Sequence, residues 1–229
     1  MDKWMISQLE VPAEAMPGAE ALLLWPEEGM NEERIRQEAA LIRTLTDRSF
    51  VLACYPVKDW NRELSPWEAP PVFGKEAFGS GAAGTLQSII GEVLPAIRDR
   101  YGLSAAIPAI VGGYSLAGLF ALWCGYRTDV FRSVAAASPS VWFPGWKEFT
   151  ETQPFLAEAA YLSLGDREER TRNPLMSTVG EAIRRQEQNL NLAGIPCVLE
   201  WNPGNHFREP ELRLAKGFAW CLGRLPAER

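Results

Sequence analysis

The chain holds one histidine, His206, downstream of the run Val111-Gly112-Gly113-Tyr114-Ser115-Leu116-Ala117-Gly118. A serine hydroxyl is a weak nucleophile until an adjacent base takes its proton, and that base is most often an imidazole. If Ser115 attacks an acyl carbon, His206 is the only imidazole that can activate it. Residues Gly113 to Ala117 read G-x-S-x-A, one methyl group away from G-x-S-x-G. The small residues have a steric purpose. A chain turning sharply from strand to helix crowds the positions two before and two after the serine. The amide of Leu116 would open the helix, where it can donate to an oxyanion with the helix dipole behind it. Two other readings compete: a serine in an ordinary glycine-rich turn, and a phosphate-cradling turn. The run lacks both G-x-G-x-x-G spacing and a G-K-[ST] ending, which weighs against the second.

His206 sits in Asn202-Pro203-Gly204-Asn205-His206-Phe207, and an acidic turn, Gly165-Asp166-Arg167-Glu168-Glu169, lies between it and Ser115. The order serine, acid, histidine is that of the α/β-hydrolases and not of the two protease orders. Asp166, Glu168 and Glu169 all compete for the acid, and at least two of them must be solvated charges of an exposed turn. Glu168 is favoured because a residue or two beyond the strand is needed to reach back to the imidazole.

The elements around these residues follow from periodicity. Short apolar runs at Ala21–Trp25, Phe50–Tyr55, Ala109–Val111, Ser133–Ala137, Ala159–Leu164 and Cys197–Trp201 read as buried strands. Helical spacing links Ile35, Ala39, Ile42 and Leu45, with Asn31 as a cap. It links Leu86, Ile89, Ile90, Val93, Leu94 and Ile97, in a helix disturbed at Pro95. It recurs over Leu116–Tyr126, over Met176, Val179, Ile183 and Leu190, and over Leu214, Phe218, Cys221 and Leu222. Strands alternating with helices predict an α/β fold: a mostly parallel sheet of about six or more strands, with helices on both faces. In such sheets ligands bind beyond the carboxyl ends of the strands, where Ser115 and His206 both fall. The absence of a repeat, linker or composition break predicts a single domain over residues 1–229, with a long loop at 59–84 covering the site.

Composition excludes several classes. The net charge is −6 with no long basic run, so nucleic acid and anionic membranes are not expected as partners. The longest uncharged apolar stretch, Ala117–Tyr126, is about half of a membrane span. The N-terminal residues hold no apolar run fit for a signal peptide, so none is expected. Cys54, Cys124, Cys197 and Cys221 are widely spaced, so with one histidine no metal site is expected. They read as packed free thiols of a cytoplasmic protein.

Four segments in order carry a resemblance: Gly113-Tyr114-Ser115-Leu116-Ala117-Gly118, Ala137-Ser138-Pro139-Ser140-Val141-Trp142, Gly165 with Glu168, and Gly204-Asn205-His206-Phe207. From about Ala21 onward the chain resembles the putative-esterase branch of the α/β-hydrolase superfamily, which includes enterobactin-esterase-like and esterase-D-like enzymes. The resemblance implies an α/β-hydrolase fold, a small-molecule ester substrate, an acyl-enzyme and no cofactor. It implies Ser115 as nucleophile, Glu168 as acid, His206 as base and Leu116 as one oxyanion donor. The family's second donor comes from a loop that is here Trp25-Pro26-Glu27-Glu28-Gly29, without the usual His-Gly-Gly, so Glu27 is its expected supplier. A carboxylate there would disfavour anionic acyl groups. Because little precedes Ala21, the first antiparallel strands of the full fold are expected to be missing. Trp60, Asn61, Trp67 and Trp142 follow predicted strands and are the candidate substrate contacts at the Ser115 rim. Arg62 and Arg208 are expected to be solvated. Acyl transfer would use the same triad, and a non-catalytic binding protein on this fold is the alternative of a different class.

Overall fold

Runs of aliphatic residues without charge build the middle of one sheet. Its strands are β1 Asp2–Ile6, β2 Leu9–Ala15, β3 Ala21–Glu28, β4 Phe50–Val57, β5 Ala109–Tyr114, β6 Phe131–Ala137, β7 Ala159–Gly165 and β8 Cys197–Asn202. The computed structural model describes residues 2–6, 9–29, 32–72 and 74–226. The strands stand in the order β1-β2-β4-β3-β5-β6-β7-β8. β3 to β8 run parallel, whereas β2 is antiparallel to both β1 and β4. β7 is buried along its whole length and β3 until its last two residues, as expected of parallel strands covered on both faces.

The helices are α1 Glu32–Leu45, α2 Trp60–Glu63, α3 Ala82–Ser88, α4 Leu94–Tyr101, α5 Leu116–Arg127, α6 Trp146–Thr152, α7 Val179–Leu192 and α8 Pro210–Gly223. The two-residue period of the strands sorts side chains between them. Leu22, Leu24 and Val111 pack on the side of Leu119 and Phe120 of α5. Ala21, Leu23 and Trp25 pack on the opposite side, with Ile35, Ala39 and Ile42 of α1 and Leu214 and Phe218 of α8. Leu116 to Tyr126 are all buried, so the long apolar stretch of the sequence is a core helix. None of the helices among the described residues is long and apolar enough to cross a membrane.

Three local expectations are corrected. The antiparallel strands expected to be missing are present as β1 and β2. Val11 and Ala13 alternate into the core, and β2 closes the open edge of β4. Residues 59–84 are not all loop. They contain α2, whose first turn is capped by Asp59 Oδ1 accepting from the Arg62 amide at 3.0 Å, and the start of α3. Trp25 to Glu28 belong to β3, not to a loop, because the parallel ladder with β4 continues to the pair Glu28 and Val57. The disturbance near Pro95 is a widened turn at Ile89–Val93, in which the Leu94 amide donates to the Ile89 carbonyl. Such a turn accommodates a ring that has no N–H and would crowd the carbonyl four residues back. Asn31, expected to cap α1, lies outside the described residues.

Candidate active site

The sheet delivers three side chains to one rim: Ser115 after β5, Glu168 after β7 and His206 after β8. Ser115 has φ 58° and ψ −121°, a conformation strained for a residue with a side chain. Backbone bonds hold it there. Its amide donates to Ala137 O at 3.2 Å, and its carbonyl accepts from Leu119 and Ser140 amides, both at 3.0 Å. The preceding glycines are required by close approach. A Cβ on Gly112 would lie 2.5 Å from Phe218 Cζ, and one on Gly113 would lie 2.3 Å from both the Ala117 carbonyl carbon and its oxygen. Leu116 is the first residue of α5, so its amide has no acceptor within the helix and faces outward from the positive end.

Ser115 Oγ lies 3.0 Å from His206 Nε2, and His206 Nδ1 lies 2.7 Å from Glu168 Oε2. The Glu168 amide donates to the Gly165 carbonyl at 3.1 Å, and this tight turn folds the side chain back under the imidazole. Its other oxygen, Oε1, accepts from the Gly165 amide and Ser138 Oγ, each at 2.7 Å, and from Arg213 Nη1 at 2.8 Å. Burial raises the Glu168 carboxyl. The bond and charge of His206 outweigh it, together with Ser138 and Gly165, and hold the group below the ordinary glutamate range. Of the competing carboxylates, Asp166 accepts from the Gly204 amide at 2.7 Å and so ties the acid turn to the histidine loop. Glu169 stands near Arg184 on the surface, at 3.9 Å.

Several residues that fix this geometry were not singled out in the sequence. Arg213 of α8 is 1% exposed and also donates to the carbonyls of Asn205 at 3.0 Å and Pro203 at 3.3 Å. It therefore holds the acid and the histidine loop together. The Tyr114 hydroxyl donates to the His206 carbonyl at 2.6 Å. Burial pushes that phenol up to about 12, which keeps it a neutral donor. Arg213 stands one helical turn before Gly217 and two before Cys221, on the buried face of α8, and that spacing was the available signal.

Two cavities meet at Ser115 and His206. One, of about 300 Å³, is lined by Trp25, Glu27, Trp60 and Tyr114 among others. The other, of about 350 Å³, is lined by Trp142, Met176 and Val179. Phe207, 85% exposed, borders both. Trp60 and Trp142 thus reach the rim, and Glu27 reaches it from a strand. Asn61 and Trp67 line neither cavity. The Asn61 carbonyl, in α2, accepts from Ser65 Oγ at 2.6 Å and from the Gly79 amide at 3.1 Å. Trp67 donates its indole N–H to Pro144 O at 2.7 Å and packs against Phe143, Trp146 and Phe149. Its apolar ring is more stable among other rings than overhanging solvent. Among the described residues, no group of three or more histidine, cysteine, aspartate or glutamate side chains is arranged to hold a metal ion.

Comparison with known proteins agrees with this picture. An IroE-like serine hydrolase from Shewanella oneidensis superimposes with a TM-score of 0.77 at 16% identity, over 96% of this chain and 77% of that one. The siderophore hydrolase EstB from Aspergillus nidulans gives 0.73 at 17% identity, over 100% and 95%. The enterobactin esterase FES from Shigella flexneri gives 0.66 at 17%, over 96% of this chain and 58% of that one. At these identities the likeness establishes the α/β-hydrolase fold. No curated protein matches the sequence. The Putative esterase profile matches residues 23–195, a span that includes Ser115 and Glu168 and stops before His206. A match over most of the chain decides the family: this protein belongs to the Putative esterase family and is a carboxylic-ester hydrolase.

Proposed function

We propose that the protein hydrolyses a small-molecule carboxylic ester through an acyl-enzyme on Ser115, with His206 as base and Glu168 as the orienting acid. The observation that carries this reading is the unbroken hydrogen-bonded chain, 3.0 Å from Ser115 to His206 and 2.7 Å from His206 to Glu168. Ser115 Oγ bonds to the ester carbon while its proton moves to His206 Nε2. The oxyanion accepts from the Leu116 amide at the head of α5, and Glu27, which lines the cavity, is the proposed supplier of the second donor. Collapse breaks the bond to the alcohol, which leaves with the proton held by His206. A water then gives a proton to His206 and attacks the acyl carbon, and Ser115 recovers its proton as the acid departs. Glu168 stays ionised throughout and stabilises the imidazolium.

Acyl transfer differs only in the nucleophile that meets the acyl-enzyme, so product analysis with added alcohol measures it directly. The setting in this reading is the reducing cytoplasm, which suits the buried free thiols of Cys54, Cys124 and Cys221. The whole chain acts as one domain around the site. The decisive experiment is labelling with a fluorophosphonate, followed by mass spectrometry of the adduct. Labelling at Ser115, abolished by Ser115→Ala, is expected. An unlabelled Ser115, under conditions that label a known serine esterase, refutes the proposal.

A further inference from the structure

The cavity of about 300 Å³ beside Ser115 contains carboxyls that have no part in the chemistry above: Glu27, Glu38 and Glu211 line it together with Arg34. Glu38 projects from α1 on the same face as Ile35 and Ile42 and is 3% exposed. Its Oε1 has no hydrogen-bond partner among the described residues. Arg34 is shared, 3.5 Å from Glu27 and 3.8 Å from Glu211. Two carboxyls therefore share one guanidinium, and Glu38 stands in the same cavity wall. Burial, then the charge of Glu211, pushes the Glu38 carboxyl well above its ordinary range. Burial also raises Glu27, against the opposing pull of Arg34 and the Trp25 indole N–H.

A buried carboxyl oxygen without a partner is costly, and a wall of three acids with one guanidinium is short of positive charge. An anionic substrate arm would add to the repulsion. A metal ion is a poorer occupant, because these carboxyls do not converge as a metal-holding group. A primary ammonium supplies what is missing: a compact charge and three donors for nearby carboxylate oxygens. We infer that this cavity is the subsite for an ester arm ending in a primary ammonium group, received by Glu38 and Glu27 next to Ser115. The inference rests on the esterase reading of Ser115 and narrows its substrate to amine-bearing esters. The ammonium pairs there with the Glu38 carboxylate.

The test compares kcat/KM for matched esters. p-Nitrophenyl aminohexanoate is set against p-nitrophenyl heptanoate, which places the charge on the acyl arm. Aminopentyl butyrate is set against hexyl butyrate, which places it on the alcohol arm. The charged ester of one pair should be preferred by about tenfold or more, the factor a single charged hydrogen bond can supply. In Glu38→Gln that ratio should fall towards one; a ratio cancels any general loss of activity. Ratios at or below one in both pairs, while the neutral esters turn over, overturn the subsite and leave the esterase reading intact. Failure of the neutral esters together with an unlabelled Ser115 overturns the esterase reading instead. Calorimetry reads the cavity without turnover. Aminopentanol should bind Ser115→Ala, and the added Glu38→Gln change should weaken that binding by about tenfold or more. Absence of binding, or binding that survives the Glu38 change undiminished, overturns the inference.

Discussion

Arg213→Met is expected to cost about 3 kcal/mol of stability, at the lower end of the roughly 3–5 kcal/mol range for breaking one side of a buried ion pair. Arg213 is 1% exposed, and its Nη1 stands 2.8 Å from Glu168 Oε1. Methionine keeps much of the aliphatic stem and leaves Glu168 buried without its cation. The lower end applies because His206, Ser138 and Gly165 still bond the carboxylate. Urea unfolding followed by tryptophan fluorescence gives the loss from the midpoint at an unchanged slope. The double variant Arg213→Met with Glu168→Gln removes both charges and should recover about 1–3 kcal/mol relative to the sum of the single losses. Kinetics should fall in both, since the loop carrying His206 loses its bonds at Asn205 and Pro203. The pH dependence has a definite sign. The folded Glu168 carboxyl is depressed below its ordinary 4.5, so its stabilisation is present above that value and is lost as pH falls through the folded one. The deficit of Arg213→Met should therefore shrink in acid, where a protonated Glu168 no longer needs the guanidinium. A single loss under about 1 kcal/mol, or strict additivity in the double variant, would refute the coupling.

Glu38→Gln should behave in the opposite sense. The folded Glu38 carboxyl is raised above its ordinary 4.5, so the cost of burying it is absent below that value and grows as pH rises towards the folded one. The variant should match wild type near pH ~4 and exceed its melting temperature at neutral and alkaline pH; a wild type that stays ahead at pH ~8 contradicts this. Gly113→Ala should destabilise by about 3 kcal/mol or more or fail to fold, because overpacking against the Ala117 backbone cannot relax; near-native melting by circular dichroism would disprove the steric account. His206→Ala should lower kcat/KM by at least about a thousandfold. With no second imidazole in the chain, only added imidazole should restore part of it, and substantial unaided turnover would remove His206 from the base role.

Much of the fold was legible because its signals are local. The six apolar runs appear as β3 to β8, and the strand–helix alternation forces a parallel sheet with helices on both sides. The edge hairpin was not legible. Val11 and Ala13 alternate with other residues over too short a span, and their burial depends on the unpaired edge of β4. The loops were read least well. Trp67 sits after a strand end like Trp60 does, yet only Trp60 reaches the cavity by Ser115, because Trp67 finds Phe143, Trp146 and Phe149 first.

The sequence by itself determined the sharp turn at Ser115, the identity of the one available imidazole, and the order of serine, acid and histidine. These follow from steric limits at Gly113 and from element order, which act over a few residues. The tertiary structure decided that Glu168, favoured among the three carboxylates of its turn, is the one that meets His206, that Arg213 sits beneath that carboxylate, and that Glu38 Oε1 is buried at a cavity without a hydrogen-bond partner among the described residues. Those outcomes turn on how distant segments of the chain meet across the rim of the sheet. The energy of a buried charge is set by whatever surrounds it in space, and its neighbours in sequence do not reveal that.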